Sequence, residues 1–173
     1  MVLITFLAYF TLAICCSWQI ENGWNQFLPL KSTRVEIEAY LSKLDPNLTI
    51  ETADERVEEV KMRYQTRTVL MHVTYLKTPC IMENAAGEKQ SLPAKTVLGY
   101  DIVPNNNLTV SGIKWDKSDF DREKDFHVAR FVHYRHREKG ISMETREMED
   151  GTEVVRNVRY FPTNFQKEKL VCS

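Results

Sequence analysis

Cysteine, glycine and proline are all scarce in this chain: four, six and six residues among 173. So few glycines and prolines exclude a collagenous or low-complexity chain, and four cysteines are too few for a fold held mainly by disulfides. Charge of one sign is lacking too. Lysine plus arginine number 23 against 24 aspartate plus glutamate, a net of -1, so nothing calls for nucleic acid or an acidic membrane surface. A Gly-rich phosphate loop, a Gly-x-Ser-x-Gly nucleophile elbow and an internal repeat are all absent, which removes the commonest sequence routes to an enzyme assignment.

What is present starts with MVLITFLAYFTLAICCSW, free of charged side chains and apolar from Val2 to Cys16. A bilayer span takes roughly 20 residues, so this run has the dimensions of a signal-peptide core instead. It lacks the usual Lys or Arg in front. Small residues at Cys15 and Ser17 fit cleavage before Trp18, giving a leader over 1–17 and a single domain over 18–173 with no stable membrane span. The expected location is secreted or periplasmic. Two rivals are an N-terminal element that stays in the fold and lipidation of Cys15 or Cys16, the latter opposed by bulky Ile14 and Cys15 at the lipobox positions.

Loss of the leader leaves Cys80 and Cys172, which in an oxidising compartment permit one pairing. That bridge would close a loop of about 90 residues onto the loop at Cys80 and contribute about 2–4 kcal/mol. The competing reading is two free thiols.

Thr33 and Glu36 form a capping-box pattern ahead of Val35, Ile37, Tyr40, Leu41 and Leu44, and Asp45-Pro46-Asn47 is a stop signal, so a helix is expected from Thr33 to Leu44. The segments ERVEEVKMRYQT and RTVLMHVTYLK alternate, with Val57, Val60, Met62 and Tyr64 and then Val69, Met71, Val73 and Tyr75; they read as two antiparallel strands joined near residues 65–67, with Leu70, His72, Thr74 and Leu76 on the opposite face of the second. TPCIMENAAGEKQSLPA reads as a loop and KTVLGYDIVP as a strand closed by Pro104. Residues 105–127 read as mostly irregular, with a short strand at Leu108–Val110. The stretch from Val128 to Thr163 reads as a three-stranded meander whose second turn, Glu-Asp-Gly-Thr, suits a type I′ hairpin. The expected fold is α+β: one N-terminal helix packed on an antiparallel sheet of about six strands, with a C-terminal β-meander and one disulfide.

Several clusters invite a chemical reading. His127, His133 and His136 lie close in sequence, but in a strand His133 and His136 point to opposite faces and cannot share an ion. Asp116, Asp119, Asp121, Glu123 and Asp125 echo a calcium loop, yet Lys124 stands where the loop needs Gly and Arg130 where it needs a bidentate Glu. RFVHYRHREK could be a nucleic-acid platform, but Glu144, Glu147 and Glu149 on the next strand would neutralise it across the hairpin. Metal-assisted hydrolysis using Asp121, Asp125 and His127 is a rival function, and a lipid or small-molecule carrier with a cavity between helix and sheet is another. Asn47 and Asn107 each begin Asn-Leu-Thr, which matters only in a eukaryotic secretory pathway.

The segments GWNQFLPLKSTRVEIEAYL, VTYLKTPC and TVLGYDIVP, the Gly140-Ile141 pair, VRYFPT and the closing LVC are similar to a group of secreted proteins of acidobacterial genomes. That group has a Trp-rich start, a Pro-Leu-x-Ser-Thr-Arg segment, Tyr-x-x-x-x-Cys and a final Leu-x-Cys. The resemblance implies export and fold and assigns no activity. A Ser-Thr-capped helix before two antiparallel strands also resembles the repeat unit of the outer-membrane assembly lipoprotein BamE and of the β-lactamase inhibitor protein, both binding modules, although KLDPN replaces the Gly-x-Pro that often ends that helix. Together these lead to an exported, non-enzymatic domain that needs no cofactor and binds another exported or envelope protein, with Trp24 and Trp115 as aromatic anchors.

Overall fold

A computed structural model describes residues 27–83, 86–112, 117–124, 130–163 and 169–172. The helix α1 runs Arg34–Leu44 and starts where expected: Thr33 is extended at the N-cap, and its backbone N–H donates to Glu36 Oε2 at 2.7 Å. Only a narrow stripe of α1 is buried. Ile37 and Leu41, one turn apart, are fully enclosed, whereas Val35 and Leu44 are exposed.

Eleven strands follow: β1 Thr49–Glu55, β2 Glu59–Gln65, β3 Val69–Leu76, β4 Cys80–Glu83, β5 Lys89–Leu92, β6 Val97–Pro104, β7 Asp121–Lys124, β8 Phe131–His136, β9 Ile141–Glu147, β10 Glu153–Tyr160 and β11 Leu170–Cys172. Eight of them form one sheet in the order β1-β2-β3-β6-β10-β9-β8-β7, and β11-β4-β5 form a second, three-stranded sheet. Every pairing is antiparallel. The α+β class and the β8-β9-β10 meander agree with the sequence; the count of about six strands does not.

The missed strands share a cause. All seven residues of β1 are exposed, so this edge strand has no alternation of burial to betray it. The segment 77–94 folds out as the β4-β5 hairpin rather than a loop, and Cys80 opens β4. In the 105–127 segment the strand is β7, four exposed charged residues, while Leu108–Val110 makes a single bridge from Thr109 to Val154 and a short 3-10 turn. At the second hairpin turn only Gly151 has positive φ (82°), and its N–H donates to Met148 O at 3.1 Å. A type I′ turn needs positive φ at both central residues, so this turn is of another kind.

One face of the large sheet, the inner face, buries Met62, Tyr64, Met71, Val73, Tyr75, Tyr100, Ile102, Val132, Tyr134, Met143 and Val158 together with Phe27, Ile37 and Leu41. Burying such a side chain stabilises by about 1.5–3 kcal/mol. Val57, expected within the strand ERVEEVKMRYQT, lies before β2 and is 87% exposed. Leu76 alternates with Tyr75 and therefore lies on the outer side. There it meets Leu30, Cys80 and Leu92 in a second, smaller cluster. Leu98, the extra residue of the bulge between the pairs Thr74–Gly99 and Tyr75–Val97, packs against the same cluster. The small sheet is thus laid over the outer side of the large one at the end of β3 and the start of β6. Its staple is the Cys80–Cys172 disulfide, which joins residues directly opposite on β4 and β11, 92 apart in sequence.

Two polar clasps hold α1 and its flanks to the large sheet. Arg34 pairs with Glu38 at 2.6 Å, Glu38 accepts from the Tyr64 hydroxyl at 3.1 Å, and the Tyr64 and Tyr75 hydroxyls meet at 2.9 Å. Burial pushes the Tyr64 phenol up to about 12 and raises that of Tyr75 as well, so both stay neutral donors. Asp45, at the C-cap of α1, accepts the backbone N–H groups of Asn47 at 2.9 Å and Arg67 at 2.8 Å, which hold its carboxyl below the usual range. It ties the helix end to the β2-β3 turn.

Candidate binding face

The outer face of the large sheet is polar for a reason set by strand parity. Residues alternating with the buried tyrosines, valines and methionines face outward, and antiparallel register then aligns them across strands. One row crosses all eight strands: Glu51, Arg63, His72, Asp101, Arg159, Ser142, Arg135 and Asp121 are successive register partners. Opposite charges sit side by side along it. Arg159 donates through Nε to Asp101, Arg63 lies 3.7 Å from Glu51, and Arg137 lies 3.8 Å from Asp121. Partial burial, with Lys61 nearby, lowers the pKa of His72 in mid-row, so it is neutral at pH 7. Arg63 Nε is buried with no hydrogen-bond partner among the described residues.

Two hollows adjoin this row. The larger, about 760 Å³, lies over β8, β9 and β10 and is lined by His133, Arg135, Arg137, Ser142, Glu144, Asn157, Arg159 and Phe161. Two of its arginines are held loosely, Arg135 to Glu123 at 3.8 Å and Arg137 to Asp121 at 3.8 Å, all partly exposed, whereas Arg159 is bound closely by Asp101. The smaller, about 480 Å³, is a cleft between the two sheets, with Thr74, Gly99, Asp101 and Arg159 on one side and Leu170, Cys172, Phe161 and Pro162 on the other. Gly140 fixes the wall they share. It has φ of 63°, and a Cβ there would stand 2.1 Å from Phe161 O, so the β8-β9 turn reaches the end of β10 only as glycine.

At the far edge Glu153 accepts hydrogen bonds from Tyr134 at 2.6 Å, Arg122 at 3.1 Å and Thr145 at 3.3 Å. Burial pushes its carboxyl up, and these donors outweigh that and hold it below the usual range. Every partner is satisfied within the cluster, so it locks β7, β8, β9 and β10 together and offers nothing to a substrate.

Of the residues singled out by sequence, Asp121 lies on β7, exposed and facing Arg137. Trp24, Trp115, Asp125 and His127 lie outside the described residues, as do Cys15, Cys16 and the leader. Among the described residues no group of three His, Cys, Asp or Glu could hold a metal ion, and no helix is long and apolar enough to cross a membrane. His133 approaches Glu144 at 3.9 Å, while His136 packs edge-on against Phe120, which places the two histidines on opposite faces of β8. Across the β8-β9 hairpin Arg130 pairs with Glu149 at 3.4 Å, but Glu147 pairs with Lys124 of β7 at 3.5 Å, and Arg135 and Arg137 face Glu123 and Asp121 of β7 rather than the next strand.

The row centred on Asp101 and Arg159 went unnoticed in the sequence because the two are 58 residues apart. The signal lay in parity: both alternate with apolar neighbours in strands that end on Pro104 and Tyr160. No family model, no curated protein and no solved structure matches the chain.

Proposed function

We propose that this chain is an exported, non-enzymatic binding domain that takes another exported or envelope protein on the outer face of its large sheet. The observation that carries the reading is the hollow over β8-β10, in which Arg135 and Arg137 hold their carboxylate partners only at 3.8 Å and in solvent. Such pairs contribute about 0–1 kcal/mol each, so they are readily exchanged for a partner's carboxylates. Arginine and aromatic side chains such as Phe161 are the groups that concentrate binding energy at interfaces. The disulfide, together with the absence of a membrane-spanning helix among the described residues, is compatible with a place outside the cytoplasm. The resemblance to secreted acidobacterial proteins and to BamE-like modules points the same way.

The test is a pull-down from the envelope fraction of the native host, with the unaltered chain and with Arg135→Glu/Arg137→Glu. A single partner recovered at stoichiometric yield by the first and lost by the second supports the reading. Repeatedly empty pull-downs, or a partner retained by the charge reversal, would overturn it.

A further inference from the structure

The cleft between the two sheets differs in character from the hollow over β8-β10. One side is apolar, formed by Leu76, Leu98, Phe161, Pro162 and Leu170. Glu58 and Glu59 also line it, and neither carboxylate has an ion-pair or hydrogen-bond partner among the described residues. Asp101 also lines it, but Arg159 neutralises that charge. Among the described lining residues Arg159 is the only cationic side chain, so these hold two carboxylates in excess. Its volume of about 480 Å³ lies within the range of pockets that enclose a small organic molecule.

We infer that this cleft binds a small molecule that joins a protonated amine to an apolar body: the body between Leu76, Leu98, Phe161 and Leu170, the ammonium against Glu58 and Glu59. Burial of the apolar part supplies affinity, and the carboxylates select for positive charge. The cleft shares Arg159 and Phe161 with the hollow over β8-β10, but Glu58 and Glu59, which select the ammonium, do not line that hollow, so their substitution tests the cleft alone.

The test is titration calorimetry on the full, disulfide-intact chain with three probes of one shape: 4-phenylbutylammonium, 4-phenylbutanol and 5-phenylvalerate. The ammonium should bind at least about fivefold tighter than the alcohol, the carboxylate weakest, and the preference should shrink at high salt. Glu58→Gln/Glu59→Gln should abolish the preference while Glu51→Gln, which removes a carboxylate from edge strand β1, leaves it intact. Equal binding of the three probes, no binding of the ammonium, or a preference that survives Glu58→Gln/Glu59→Gln would each overturn the inference.

Discussion

The large sheet and the small one hold together by different means. The large sheet has a continuous inner core running from Met62 on β2 to Val132 on β8, sealed by Ile37 and Leu41 of α1. The small sheet rests on a cluster of four buried residues, of which only Cys80 and Leu92 are its own, the others being Leu30, ahead of α1, and Leu76 of β3; two of its strands have four residues each and β11 has three. A unit that small cannot offset the entropy of ordering its own chain. The covalent bridge to Cys172 supplies what its core does not. The two proposed sites divide the same way: the proposed binding face lies on the self-sufficient sheet, and the proposed amine cleft lies on the seam, where β11 is joined to β4 by the disulfide.

Substitutions should separate the two regions, the largest effect first. Leu41→Ala empties a fully enclosed position in the main core, and a urea titration should show a loss of about 2–5 kcal/mol, with both sheets melting together. Cys80→Ser/Cys172→Ser should cost about 2–4 kcal/mol and abolish ammonium binding in the cleft, while the near-ultraviolet signal of the tyrosines on the large sheet persists. If that signal collapses as well, the two regions are one unit and the contrast is mistaken. Tyr64→Phe strands the Tyr75 hydroxyl and removes a donor to Glu38; about 1–3 kcal/mol should be lost, with faster amide exchange in α1 and little change in β4 and β5.

The smallest effect concerns pH. Because the Asp45 carboxyl lies below the usual range when folded, it stabilises the fold above the ordinary aspartate range near pH 4, and that stabilisation fades as pH falls further. Asp45→Asn should therefore flatten the acid limb of a stability-against-pH curve below about pH 4. An unchanged slope would show that Asn47 and Arg67 find other partners.

The same contrast decides what could be read from the sequence. Strands of the large sheet announce themselves because one face is buried: β2, β3, β6 and the β8-β10 meander all alternate. The capping box at Thr33 and Glu36 marked α1, and Cys80 and Cys172, the two cysteines outside the expected leader, marked the bridge. β1 and β7 carry no apolar face, since edge strands need only hydrogen-bond a neighbour, so composition is silent about them. β4 and β5 are four residues each with Gly87 between them, and their sheet is completed by β11, which arrives from about 90 residues away. The Asp101–Arg159 row required register, a property of pairs of strands that no single segment contains.

The most direct measurement is residue-resolved hydrogen exchange on the oxidised protein and on the protein with Cys80–Cys172 reduced. Reduction should strip protection from β4, β5 and β11 while the amides of β3, β6 and β10 remain the slowest in the molecule. A uniform fall in protection across both sheets would contradict the account, because it would make the disulfide a staple of the whole fold and leave no self-sufficient sheet to carry the binding face.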